Sequence, residues 1–257
     1  MPTTFFGWVG FLAGKYGPLF LRGTGTTLAV ALSGTVLGFL LGLLVAIGRT
    51  IPLGPRAKWW KRVPVKILNG VLGVYIEVFR GTPMIVQAMV IYYGALQYLG
   101  LDMPRFVAAI FIVSINTGAY MAEIVRGGII SIDRGQTEAA RSIGMTHWQT
   151  MTSVVLPQAI RNIMPSIGNE FVVNIKDSSV LNVISVTELF FQGKSATGTY
   201  YKYFEVYFII ALIYLALTFT VTRLLRFIEK KMDGPENYTI HGSQSDSRAA
   251  IPVRKED

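Results

Sequence analysis

The 257-residue chain contains no cysteine and only two histidines. Without cysteine there is no disulfide, no thiol nucleophile and no thiolate metal site. His147 and His241 lie too far apart for a metal cluster of ordinary spacing. Charge is scarce too, at 15% of residues against about a quarter in an ordinary soluble domain. Gly23 to Gly48, Gly81 to Leu101, Phe106 to Ala122 and Val206 to Thr222 carry none. The first of these runs alone exceeds the roughly 20 apolar residues that cross a bilayer. With 51% hydrophobic residues in such blocks, the chain is an integral membrane protein. Its start lacks a basic stretch, a continuous apolar middle and a small-residue cleavage site, so no cleavable signal peptide is expected.

A nucleotide-binding loop is missing as well. Such a loop needs glycine, four residues, then Gly-Lys-Ser/Thr, so that backbone amides surround the phosphates. Gly193, Lys194 and Ser195 supply the end, but Glu188 stands where the first glycine belongs, and Gly10 to Lys15 has the wrong spacing. An ATP-driven process would have to draw its energy from another subunit. The spans hold no nucleophile–base constellation and no metal-ligand cluster, which argues against a membrane enzyme. A self-sufficient secondary carrier would show pseudo-symmetric halves with paired broken helices. Here there is one clear break and no repeat.

The charge that is present is mostly positive, 24 Lys and Arg against 15 Asp and Glu. A net charge of +9 could suit nucleic acid, but the cations sit between apolar blocks, where they orient a membrane protein with basic loops inside. Nucleic acid is therefore not an expected partner. Arg49, Arg56, Lys58, Lys61, Arg62 and Lys66 occur without an acidic residue among them, and this segment is expected on the cytoplasmic side. So are the segment from Arg126 to Arg161 and the end after Arg223. The first span runs from Gly23 to Gly48. Ile67 to Tyr98 is too long for one straight span and is interrupted at Arg80-Gly81-Thr82-Pro83, where proline removes a donor and disfavours helix before it. Asp102 to Arg105 is an outer turn and Phe106 to Val125 returns inward. Asn162 to Val183 is the weakest span because it contains Glu170, Lys176 and Asp177. Ser185 to Lys202 is expected as an outer loop, and Val206 to Thr222 as the last span. The architecture is all-α, with five transmembrane helices, an outer N-terminus and an inner C-terminus. Gly34, Gly38 and Gly42 form a close-packing face on the first span. Before it, Trp8, Phe11, Tyr16 and Phe20 suit either an interfacial helix or a loose aromatic anchor.

Between the third and fourth spans, Gln136 to Gly144 favours a short helix closed by glycine. His147 to Val155 favours a second one, ending near Leu156-Pro157. Glu138, Ala139, Ala140, Gly144, Val154, Leu156 and Pro157 together resemble the EAA loop of binding-protein-dependent ABC importers. Glu77 to Pro83 with Gln87, Ala122 to Gly128, and Asn174 to Ser179 resemble signatures of the polar amino-acid permeases. The resemblance extends from Gly23 to Phe227. It implies a type I ABC importer permease fold for the domain at 23–227; outside it lie an N-terminal amphipathic, periplasmic extension at 1–22 and a cytoplasmic tail at 228–257, whose polar composition predicts disorder. It also implies the bacterial inner membrane as location and two ABC ATPase subunits as partners, docked on a coupling helix carrying Glu138, Ala139, Ala140, Gly144, Leu156 and Pro157. A second permease copy or sister permease, a periplasmic amino-acid-binding protein, membrane lipid and the amino acid itself complete the set. No cofactor is expected on this chain, with ATP and magnesium used by the ATPase.

The charged and polar residues at membrane depth form the candidate pathway, because ionisable groups there are costly and usually functional. Glu77 and Arg80 are three apart and could neutralise each other, or Arg80, at the break beside Thr82, could grip a carboxylate by two parallel hydrogen bonds. Glu123 could answer an ammonium or pair with Arg126. Lys176, Asp177, Ser178 and Ser179 bring both signs and hydroxyls, although neighbours on a helix diverge by about 100°. Gln87, Asn116 and Asn174 either line the path or bond a neighbouring helix.

Overall fold

The computed structural model describes residues 1–51, 58–232, 239–241 and 250–252. Arg56 of the basic segment and most of the tail fall outside them. Nearly every described segment is helical, as a bilayer demands when backbone groups find no water. Helix α1 (Phe5–Arg49) is followed by α2 (Trp59–Gly81), α3 (Met84–Leu99), α4 (Arg105–Ser131), α5 (Arg134–Ser142) and α6 (His147–Thr150). A π turn (Met151–Val155) leads into α7 (Leu156–Asp177) and a 3-10 segment (Ser178–Ile184), then α8 (Leu189–Tyr200) and α9 (Tyr203–Met232). Within the tail, β1 (Thr239–His241) pairs antiparallel with β2 (Ala250–Pro252).

The core is built around α4, whose Ala108, Ala109, Ile112, Val113, Ala119, Met121, Ala122 and Val125 are buried. Its main partner is α1. The glycine face supplies the approach: a Cβ on Gly38 would lie 2.7 Å from Thr117 Cβ, and one on Gly42 2.5 Å from Met121 Cβ. Helix α1 has 45 residues, about 68 Å at 1.5 Å per residue, and crosses positions 22 and 23 without a break. The aromatic start is thus neither a loose anchor nor a separate surface helix. Trp8 and Leu12 bury against α8 and α9 together with Val206 and Ile209.

Among the described residues, α1, α4 and α9 are long and apolar enough to cross a membrane, and a fourth span results if α2 and α3, bent by 114° at their break, count as one. The interruption expected at Arg80–Pro83 is present and sharp. Helix α7 does not reach that hydropathy, because Glu170, Lys176 and Asp177 lie within it.

Two expectations need correction. The helix after His147 does not end at Leu156-Pro157. Its ladder widens there, with the Leu156 N–H donating to the Met151 carbonyl, and Pro157 enters the first turn of α7, where a missing N–H costs least. The segment from Ser185 to Lys202 is not a polar loop either. The Glu188 carboxylate accepts hydrogen bonds from Phe190 N at 2.8 Å and Phe191 N at 2.6 Å, so it caps α8. It also accepts from the Tyr214 hydroxyl at 3.0 Å, which ties α8 to α9.

Candidate translocation cavity and coupling segment

Breaking a helix orphans its last carbonyls. At the end of α2, Thr82 Oγ1 donates to the Val78 carbonyl at 2.7 Å. Gln87 Nε2 donates to the carbonyls of Phe79 and Thr82, both at 2.9 Å. Asn116 Nδ2 donates to Gln87 Oε1 at 2.9 Å and reaches the Phe79 carbonyl at 3.3 Å. Buried Gln87 and Asn116 therefore hold the break in shape, and the Tyr75 hydroxyl braces α2 on α4 by donating to the Ile115 carbonyl at 2.6 Å.

Beside this break lies a cavity of about 360 Å³. Thr82, Pro83 and Met84 form one wall, Asn116 and Tyr120 of α4 a second, and Glu170, Val173, Asn174 and Asp177 of α7 a third. Two carboxylates face it, and among the described residues no cation lines it. The Arg80 guanidinium carbon stands 5.6 Å from the centroid of the Tyr120 ring, which puts this cation at the rim. Arg80 does not pair with Glu77; both are exposed, and the ion pairs among the described residues involve other groups.

The other candidates have further partners. Glu123 bonds Arg49 at 2.7 Å and Arg126 at 2.7 and 3.0 Å, an ion triad joining the ends of α1 and α4 rather than a group free for an ammonium. Asn174 spends its amide on other helices, donating to Thr35 Oγ1 at 2.8 Å and to Thr117 Oγ1 at 3.0 Å. Lys176 and Asp177 diverge: Asp177 faces the cavity, whereas Lys176 and Ser179 face the α7–α9 side. Ser178 is buried and donates to the Ile175 carbonyl at 2.9 Å. Sequence reasoning had not singled out Tyr120 or Glu170 as lining residues. The signal was present as spacing: Asn116 and Tyr120, and Glu170, Asn174 and Asp177, follow the i, i+4, i+7 period of one helical face.

The expected coupling segment is two helices folded at a glycine. Asp133 caps α5 by accepting from Gly135 N at 2.6 Å. Gly144, at φ +85°, ends it, with Gly144 N donating to Arg141 O at 3.0 Å and Met145 N to Ala140 O at 3.1 Å. Thr146 and Gln149 then cap α6 reciprocally. Ala140 is buried, while Glu138, Ala139 and Pro157 are exposed and Leu156 is half-buried. At the corner, Ile143 and Trp148 are 79% and 64% exposed, two large apolar side chains left uncovered by the described residues. Among the described residues no group of His, Asp or Glu is arranged to hold a metal.

Residues 51–234 match the family described as binding-protein-dependent transport system inner membrane component. The chain belongs to this family. It is similar to the glutamine transport system permease protein GlnP of Escherichia coli (strain K12), with 37% identity over 84% of this chain and 93% of that protein. The arginine transport system permease protein ArtQ of Bacillus subtilis (strain 168) is 33% identical over 84% of this chain and 93% of its own length. In structure it is similar to an amino acid ABC transporter crystallised with histidines, with TM-score 0.76, 40% identity, and coverage of 90% of this chain and 100% of that one. The MetNI methionine transporter, at 20% identity and TM-score 0.69 over 83% of this chain and 96% of that one, shares the fold. The break, the α4–α7 wall and the corner at Gly144 thus stand in a chain whose family is described as an inner membrane component of transport systems.

Proposed function

We propose that this chain is the permease subunit of an ATP-driven, binding-protein-dependent importer of polar amino acids in a bacterial inner membrane. The relatives named for glutamine and arginine transport support the substrate class. The observation that carries the reading is the cavity at the α2–α3 break, with Glu170 and Asp177 on one wall and Arg80 on Tyr120 at its rim. An amino acid sits there with its ammonium against the α7 carboxylates. Its carboxylate points to the Arg80 guanidinium, which can offer two parallel hydrogen bonds, and to the N-terminal N–H groups of α3, which favour an anion. One carboxylate answers the α-ammonium. The other favours a cationic side chain and repels an acidic one.

Five spans fit this role: α1, the bent α2–α3 pair, α4, α7 with its 3-10 continuation, and α9. The charges that weaken α7 as a lipid-facing helix turn toward the cavity at Glu170 and Asp177. The basic clusters place the coupling corner and the C-terminus inside and the N-terminus outside. Ile143 and Trp148, with Glu138 beside them, dock into the ATPase subunits, which use ATP and magnesium. A second permease copy or sister encloses the path, and a periplasmic binding protein delivers the substrate.

The test is uptake into proteoliposomes by the intact complex with its binding protein. The proposal expects uptake only with internal ATP, strongest for cationic amino acids. Uptake driven by a proton or sodium gradient without ATP would overturn it.

A further inference from the structure

Lys176 leaves an open question, since it lies in a span and does not face the cavity. It reaches instead into a groove of about 330 Å³ between α7 and α9. From α9 the groove receives Arg223, Arg226, Thr218 and Thr222, so three cations converge there, and among the described residues no carboxylate lines it. Among the described residues none of the three forms an ion pair. Two acidic side chains close by in the sequence are turned elsewhere. Asp177 lines the cavity on the other side of α7, and Glu229 faces Gly168, its Oε1 3.6 Å from where a Cβ on that glycine would stand. Arg223 lies 5.0 Å from the centroid of the Phe219 ring.

Cations at membrane depth are tolerated when an anion answers them. Among the described residues no anion answers them, and the surroundings limit the nature of one that would. Leu215 and Phe219, which line the groove, are 63% and 58% exposed, so the occupant carries a long apolar body. It enters where the apolar part of α9 gives way to its basic end, at Arg223, Arg226, Lys230 and Lys231. Guanidinium groups suit phosphate oxygens, and the Thr222 hydroxyl lies beside them. We propose that the α7–α9 groove is a binding site for an anionic phospholipid, its phosphate held by Arg223 and Arg226 with Lys176 reaching down from α7. Basic pockets between transmembrane helices hold such headgroups, and an occupant there would brace α7, the helix that carries Glu170 and Asp177 on its other face.

The intact complex in nanodiscs of phosphatidylcholine with a small fraction of phosphatidylglycerol provides the test, native mass spectrometry counting the phosphatidylglycerol retained. Each cation near a headgroup is worth about fivefold, so R223Q/R226Q should weaken retention roughly twenty-fivefold. K230Q/K231Q removes the same charge from the same helix end outside the groove and should retain lipid as the unaltered protein does. If R223Q/R226Q does not assemble, K176Q alone should still show a loss of about fivefold. Equal losses in the two double variants would mean diffuse surface attraction and would overturn the site. So would undiminished retention by R223Q/R226Q, or a disulfide-linked permease dimer formed through Thr222→Cys in native membranes, which would put protein where the lipid is proposed.

Discussion

The approach of α1 to α4 can be tested by adding single methyl groups to α1. At Gly42 a Cβ would lie 2.5 Å from Met121 Cβ, 2.7 Å from Ala122 N and 2.8 Å from Met121 C. Two of these are backbone atoms, so no side-chain rotation relieves the clash. Carbon atoms settle about 3.5–4.0 Å apart, and the helices would have to separate by about 1 Å. A gap of that size forfeits roughly a quarter to a half of the attraction along the contact, and overpacking of this kind costs about 1–3 kcal/mol. The offsetting gain is the replacement of a helical glycine by alanine, about 0.5–1 kcal/mol. At Gly25, on the same helix, nothing lies within 4 Å of the added Cβ, and only the gain remains. Thermal unfolding of the purified chain in detergent should therefore show Gly42→Ala melting several degrees below the unaltered protein, at about 2–4 °C per kcal/mol for a chain of this size. Gly25→Ala should melt at the same temperature or slightly higher. Equal melting of the two variants would refute the account of the α1–α4 contact.

Three further expectations concern transport. Arg80→Lys keeps the charge but loses the planar contact with Tyr120 and the two-point grip, so KM for uptake should rise about tenfold, the equivalent of one neutral-to-charged hydrogen bond; Arg80→Ala should be worse, and an unchanged KM in both would remove Arg80 from the path. Gly144→Val forces a β-branched residue to φ +85°, which costs about 1–3 kcal/mol. The variant should still insert but lose substrate-stimulated ATP hydrolysis, and normal stimulation would count against the coupling corner. Single cysteines at Trp60 and Ile228, in a chain that has none, should be labelled only from the cytoplasmic side, whereas labelling of either from outside intact cells would reverse the topology.

What the sequence disclosed, and what it concealed, follows from the range of each interaction. The break at Gly81–Pro83, the glycine face of α1 and the turn at Gly144 are local, set by a missing donor, a missing Cβ and a positive φ. They stand where the residues placed them. The direction of a side chain at a given depth depends on the rotation of a whole helix, which no local pattern fixes. Lys176 and Asp177 are neighbours and end on opposite sides of α7. Glu123 has Arg126 one turn away, visible in the sequence, but its bond to Arg49 needs α1 docked on α4. Helix α8 was hidden because Gly193 and Gly198 weaken its local propensity and its cap is a glutamate, outside the residues usually preferred there. The continuation of helix through Leu156-Pro157 depends on a π turn, which leaves no residue signature of its own. Gln87, Asn116 and Asn174 looked like pathway liners because they are polar at depth. Two of them mend the helix break and the third cross-links α1, α4 and α7, and Asn116 and Asn174 line the cavity as well.

The central claim is that the cavity between the α2–α3 break, α4 and α7 holds the substrate cation on Glu170 and Asp177. Equilibrium binding of labelled arginine to the detergent-solubilised complex, without its binding protein, tests this directly. A hydrogen bond to a charged group is worth about 1.5–3 kcal/mol, so Glu170→Gln alone should weaken binding about ten- to a hundredfold, and Glu170→Gln with Asp177→Asn should abolish it. Glu205→Gln, which removes a carboxylate paired with Lys202 outside the cavity, should bind as the unaltered complex does. Arginine bound by the Glu170/Asp177 double variant as tightly as by the unaltered complex would contradict the account.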